Sequence, residues 1–191
     1  MELQDKTYQG LGISPAILHN GSMASPTNQW SIAIAKITNK RKKTASDYED
    51  IARFSFMGAL YWDEGEKPII PMGVVRGMLL GKGGASRSQR MGKQAELGII
   101  LTSDAEFIYD GPSSPKELWE DGGYRFDTME KVGPSKVSRT RAIFREWKMV
   151  VSITYNPDFV TEEVLEHLMR IAGAQGGIGD RRPSYGRFTV E

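Results

Sequence analysis

The 191-residue sequence predicts an α+β fold, and three features of its C-terminal third carry that prediction. Trp147 to Tyr155 alternates apolar and polar residues and is rich in β-branched side chains, the pattern of a half-buried strand. Thr161 then opens a helix with Val164, Leu165, Leu168, Ile171 and Ala172 on its apolar side, ending at Gly173 or Gly176. Arg187 to Val190 reads as a closing strand, reached through a glycine-rich linker alone. A strand, a helix and a strand joined in this way form half of a ferredoxin-like fold.

Along the rest of the chain, residues 1–25 read as irregular, with one candidate strand at Ala16-Ile17-Leu18-His19. Pro26 is placed to open a helix through Trp30, Ile32, Ile34 and Ile37, although the alternation there also suits a strand. Thr44 or Ser46 caps a second helix whose apolar side is Tyr48, Ile51, Ala52, Phe54 and Phe56. Asp63-Glu64-Gly65-Glu66 is a turn signal, Pro68 to Pro71 is extended, and Met72 to Leu80 is helical. Gly81 to Lys93, with four glycines, two serines and four basic residues, has the composition of a mobile loop. Glu96 to Thr102 and Phe107 to Tyr109 are strand candidates, and Pro115 to Glu120 a short helix. Residues 121–138 suit an exposed hairpin. The expected organisation is therefore one domain over 1–191, with flexible insertions near 81–95 and 121–140.

Hydrophobic content of 39% and charged content of 26% are those of a soluble globular protein. No apolar run approaches the roughly 20 residues of a membrane span, and Met1 to Lys6 lacks a signal-peptide pattern. The absence of cysteine excludes disulfides, thiolate metal sites and cysteine nucleophiles. A cytoplasmic protein of a bacterial or phage-infected cell is expected.

Net charge is only +1, but the charges are segregated. Basic clusters occupy Lys36 to Lys43; Lys82, Arg87, Arg90 and Lys93; Lys131 to Lys148, including Arg139 and Arg141; and Arg181, Arg182 and Arg187. Acids concentrate at 47–50, 63–66, 117–121 and 162–166. Such segregation builds a basic groove on a nearly neutral protein. The last cluster lies in Gly176 to Phe188, where four glycines, three arginines and two aromatics fall within thirteen residues. Glycine permits close backbone approach and arginine forks onto phosphate, so an anion, above all a nucleic-acid backbone, is the partner indicated. A tight turn carrying surface arginines is the plainer alternative. Tyr185 is the ligand-facing aromatic, whereas Trp147 and Phe188 suit the core of their strands.

Catalysis finds little support. His19 and His167 are the only histidines: His167, beside Glu166 in the C-terminal helix, suits a solvated helix position, and His19 has no acid or nucleophile partner nearby in sequence. Gly81 to Ser86 lacks the Gly-Lys-Ser/Thr ending of a nucleotide loop, and no helix follows Gly176 to Gly179 as a dinucleotide fingerprint requires. No cofactor and no metal are expected.

Two stretches together resemble a family. Ile69-Ile70-Pro71-Met72-Gly73-Val74-Val75-Arg76-Gly77-Met78-Leu79 resembles the I-P-G-S-S-x-K-G-x-L-R segment of RAMP-type proteins, the backbone subunits of CRISPR effector complexes. Gly176 through Phe188 is similar to their G-G-x-x-S-R-G-Y-G-R-V loop. The resemblance implies an elaborated ferredoxin-like (RRM-like) domain with an inserted hairpin. It would bind single-stranded DNA or RNA through backbone contacts and assemble head-to-tail along the strand. Arg76 takes the place of the family's basic residue, and Gly177, Gly179, Arg182, Gly186 and Arg187 fall in the loop. Met72-Gly73 inverts the usual Gly-Ser order, Asp180 interrupts the loop, and nothing matches the aspartate of the RNA-cleaving members. These departures point to a compact relative, encoded by a phage or another mobile element, that coats single strands without cutting them. A guide-RNA-binding CRISPR effector subunit, a metal-dependent nuclease and a virion or assembly protein are the alternatives.

Overall fold

The computed structural model describes residues 2–62 and 68–191. The turn expected at Asp63–Glu66 lies outside the described residues.

The N-terminal segment, read from the sequence as irregular before residue 16, opens with a regular strand. Gln4–Gly12 forms the nine-residue strand β1. Tyr8 and Gly10 are buried while Gln4, Asp5 and Thr7 are exposed, so the buried face offers one large side chain and the open face is polar. Gly12 adds no apolar signal because the indole of Trp147 fills its place; a Cβ there would lie 2.4 Å from Nε1. The next strand, β2, is only Ala16–Ile17. Helix α1 (Gln29–Thr38) begins at Asn28 and not at Pro26, since the Asn28 side chain accepts hydrogen bonds from the Trp30 and Ser31 N–H groups. Helix α2 (Ala45–Ala59) is capped by Thr44, with Asp47 returning the bond in a capping box.

Strand β3 (Ile69–Ile70) and helix α3 (Met72–Leu80) form where the sequence places them. The Gly81–Lys93 loop is corrected to a tight turn, a short helix α4 (Ala85–Ser88) and the start of α5 (Gly92–Gly98). Helix α5 also takes the first half of the strand expected over Glu96–Thr102, leaving Ile99–Ile100 as β4. Small residues explain both differences. Gly84, Ala85 and Ser86 are buried, as are Ala95 and Gly98, so these turns lie close against their surroundings without an apolar pattern to announce them.

Strand β5 (Ala105–Ile108) follows, then α6 (Pro115–Asp121) behind a Ser114/Glu117 capping box. Strands β6 (Arg125–Val132) and β7 (Ser135–Phe144) make the hairpin. Strand β8 (Lys148–Tyr155), helix α7 (Glu162–Ile171) and strand β9 (Phe188–Val190) are the C-terminal β-α-β unit.

These elements are divided between two compact units, and the fold is α+β with antiparallel sheets. The first unit comprises residues 1–16, 68–110 and 144–191. Its strands run in the order β3-β5-β8-β1-β9, with β4 also paired to β8. Neighbouring strands are antiparallel, with Tyr8 opposite Val151 and Phe107 opposite Met149. One face carries Tyr8, Met149, Val151 and Ile153, all buried. Each such aliphatic side chain contributes about 1.5–3 kcal/mol on burial. On that side Lys6 ion-pairs with Glu162 in the first turn of α7, whose Leu165, Leu168 and Met169 are buried. The opposite face is polar: Thr7 and Ser152 share a hydrogen bond, and the Thr154 hydroxyl donates to Asp5. Trp147 and Phe188 belong to the core and meet edge to face, ring centres 6.1 Å apart.

The second unit comprises residues 17–67 and 111–143. It holds α1, α2, α6 and a sheet in the order β2-β7-β6. Phe56, Leu60 and Leu118 are buried in it, and the Phe56 and Trp119 rings pack edge on at 5.4 Å. The Arg125 guanidinium lies over Trp119, 3.9 Å from the ring centre.

Candidate nucleic-acid interface

After α7 the chain makes a wide turn over Ala172–Gly176 and enters the glycine-rich segment. Gly177 and Gly186 bring this segment back onto itself. The Ile178 N–H donates to the Gly186 carbonyl at 2.9 Å, and the Gly186 N–H donates to the Pro15 carbonyl at 2.8 Å. Both glycines hold positive φ, 76° and 74°. A Cβ on Gly186 would sit 1.9 Å from the Ile178 carbonyl oxygen, and one on Gly177 would sit 2.8 Å from that of Tyr185. These two glycines are therefore required by the chain's approach to itself. Ile178, fully buried, anchors the neck so formed.

Outside the neck lie Gly179, Asp180, Arg181, Arg182, Pro183, Ser184 and Tyr185. Arg181, Arg182, Pro183 and Ser184 are exposed, and Tyr185 is half-buried. Gly179 and Arg181 both adopt left-handed backbone, φ 73° and 56°. Arg187, just past the neck, donates from Nε to the Ala174 carbonyl at 2.7 Å, and its backbone N–H donates to the Ser14 hydroxyl at 2.9 Å. One nitrogen of this guanidinium thus ties the residue before β9 to the turn that follows α7.

The turn after α3 supplies the facing wall. The Gly84 N–H closes it by donating to the Gly81 carbonyl at 2.8 Å, leaving Lys82 and Gly83 exposed. Gly83, Gln175, Gly176, Gly179 and Asp180 to Pro183 together line an open cleft of about 450 Å³. A smaller one of about 190 Å³ shares Gly83, Gln175 and Gly176 with it and reaches α4. Two guanidiniums and the carboxylate of Asp180 line the larger cleft, and Lys82 stands beside its Gly83 wall. A glycine floor with exposed guanidiniums at the rim is suited to a phosphate, which takes two parallel bonds from one arginine.

The other basic residues are placed differently. Arg76 is exposed on α3 and does not line the cleft. Arg87 is paired with Glu96 at 2.7 Å. Arg90, with φ 60°, and Lys93 are exposed on the segment joining α4 to α5 and on α5 itself, also outside the cleft lining. Arg139 and Arg141 are on β7 in the second unit, where both face Glu130; Arg141 pairs with it at 2.8 Å and the Arg139 Nε stands 4.0 Å away. The histidines are exposed, with the His167 Nε2 3.4 Å from the Gln89 Oε1. Among the described residues no three His, Asp or Glu side chains gather where they could hold a metal ion, and no helix is long and apolar enough to cross a membrane.

Sequence reasoning missed Gln175 as a lining residue, and Ser14 and Pro15 as the groups that hold the loop. Gln175, a polar residue between a helix end and paired glycines, carried a local signal. Ser14 lies 173 residues from the Arg187 N–H it accepts, and no local pattern marks it.

No protein-family model matches the chain, and no curated protein matches it in sequence. Among solved structures the chain is similar to a crystal structure of Cmr6 from Pyrococcus furiosus, at 11% identity and a TM-score of 0.41 over the whole of both chains. A likeness at that TM-score carries no argument about fold or activity.

Proposed function

We propose that this chain is a non-catalytic single-stranded nucleic-acid-binding protein that grips the sugar-phosphate backbone at the cleft between the Gly83 turn and the Gly179–Pro183 loop. The observation that carries this reading is that cleft: two segments nearly a hundred residues apart meet there, one lined by glycine, the other presenting Arg181 and Arg182. The core is read as ferredoxin-like. Along the chain β1, β5, β8 and β9 are its first to fourth strands, with helices between the first pair and the last pair. Their spatial order, β5-β8-β1-β9, antiparallel throughout, supports that reading. The resemblance of Ile69–Leu79 and Gly176–Phe188 to the RAMP segments supports membership of that superfamily, with assembly of copies along the strand.

Fluorescence anisotropy with labelled single-stranded oligonucleotides at two salt concentrations tests the reading. Affinity falls steeply with salt, because each phosphate contact releases condensed counterions. The double variant Arg181→Gln/Arg182→Gln weakens binding uniformly across sequences. No binding at low salt overturns the proposal. Mass photometry tests assembly: oligomers that appear only with nucleic acid support assembly on the strand, and oligomers that form identically without it favour an assembly protein.

A further inference from the structure

Helix α1 is more apolar than its burial warrants. Six of its ten residues are apolar, yet only Ile37 is buried. A helix apolar around most of its circumference is ordinarily covered. In the second unit Ile34 and Ala35 of this helix instead line a cavity of about 480 Å³, which Arg139 and Arg141 of β7 also line. That volume is within the range of small-molecule sites.

The charge of the cavity is uneven. Two guanidiniums line it with one carboxylate, Glu130, whose closer partner is Arg141 at 2.8 Å against 4.0 Å for Arg139. The Arg139 side chain keeps 42% exposure and is the group placed to reach an anion. Asp127, on β6, is engaged by the Thr140 hydroxyl and does not line the space.

The hydroxyls carry the identification further. Ser31 donates to the Met23 carbonyl at 2.6 Å and Thr38 to the Ala35 carbonyl at 3.2 Å. Their protons are committed to the protein, so what these two hydroxyls of lining residues offer is acceptor lone pairs. Ser55, also lining the cavity, is 8% exposed. An alkyl chain would desolvate those lone pairs without offering them a donor. A flat ring with N–H donors on its edge satisfies them while its face packs on Ile34 and Ala35.

We infer that the cavity binds a nucleoside phosphate, its phosphate on Arg139 and its base against α1. The ligand is either a free mononucleotide or the phosphorylated end of a strand, and the inference does not depend on the loop cleft of the first unit.

Isothermal titration calorimetry of the full chain with AMP and UMP tests it. One mononucleotide binds per chain, and Arg139→Ala weakens it at least about tenfold, the size of a lost charged hydrogen bond. Ala35→Trp, a change at an exposed position on the cavity wall, abolishes mononucleotide binding while leaving the salt-dependent oligonucleotide affinity in place. Arg181→Gln/Arg182→Gln does the reverse, which separates failure of this inference from failure of the loop reading. Competition by a 5′-phosphorylated oligonucleotide but not by its unphosphorylated twin assigns the site to a strand end; competition by neither assigns it to the free nucleotide. No heat with either nucleotide at millimolar concentration, equal binding of inorganic phosphate, displacement of AMP by octanoate, or affinity unmoved by both cavity variants each overturns it.

Discussion

The Gly179–Pro183 loop of the first unit and the β6–β7 hairpin of the second both present arginines, but the two regions hold them in opposite ways. In the loop the backbone is fixed, by neck glycines that no other residue could replace, and the arginines stand on its exposed rim. In the hairpin the backbone is an ordinary ladder, and it is a side chain, Glu130, that fixes Arg141. Arg141 keeps only 12% of its side-chain exposure and Glu130 27%, so that pair is largely withdrawn from solvent. A basic cluster in a sequence is therefore two different things. Where the backbone does the holding, the side chains are left exposed; where a carboxylate does, part of the charge is already neutralised.

The sharpest way to break this comparison is Gly186→Ala. With a carbonyl oxygen 1.9 Å from the new Cβ and φ at 74°, the loop neck cannot form as it stands. A loss of about 3 kcal/mol or more is expected in urea unfolding, with oligonucleotide binding lost alongside; wild-type stability would mean the neck is dispensable. Next in size, Arg181→Gln/Arg182→Gln lowers the slope of log affinity against log salt by about 1–2 and leaves the melting temperature unchanged. A fall in melting temperature would show that these arginines support the fold. In the hairpin the order reverses: Arg141→Ala costs about 1–2 kcal/mol because it strands a partly buried carboxylate, whereas Arg139→Ala leaves thermal stability within error.

The smallest effects separate the two units by pH. Burial pushes the Tyr8 phenol up to about 12, and its hydroxyl has no hydrogen-bond partner among the described residues. A raised folded value means that this contribution is complete below the ordinary tyrosine range, about 10, and is lost as pH rises through about 12. Tyr8→Phe should be neutral or slightly stabilising at pH 7 and should flatten that alkaline loss. Asp47 in the second unit behaves in the opposite sense. The Lys40 ammonium, followed by the Thr44 N–H, holds its carboxyl below the usual aspartate range. Its contribution is present above that range and is lost as pH falls through the depressed value. Asp47→Asn should flatten the acid limb of the melting curve; an unchanged acid limb would show that the cap contributes nothing.

How much of this was legible follows from where each signal lay. Helix α7 and strand β8 were readable because their buried residues recur at a regular period, Leu165 with Leu168 on the helix and Met149, Val151 and Ile153 on the strand. Strand β1 was not, because it occupies the sheet interior through Tyr8 and two glycines whose space is filled by Met149, Phe188 and Trp147. Helices α4 and α5 were hidden for a related reason, since Ala85, Ser86, Ala95 and Gly98 are buried for their small size. The candidate site was half legible. The arginines and glycines of the C-terminal loop stood out by composition, but the separation of neck glycines from cleft glycines depends on Pro15 and Ser14, which only folding brings near. The pairing of Arg87 with Glu96 was likewise invisible in a run of basic residues free of acids.

Strand β1 has one more consequence. Thr7 and Ser152, hydrogen-bonded neighbours in the finished sheet, are 145 residues apart in the chain. At roughly 5–20 residues per second, β1 leaves the ribosome about 7–30 s before the strand that will cover one of its edges has been made. Its other edge waits longer, for β9, among the last residues described. For that interval the newborn chain displays two bare rows of amide and carbonyl groups. Its polar run from Gln4 to Thr7, which made the strand hard to recognise, disfavours the pairing of those rows with other chains before their partners arrive.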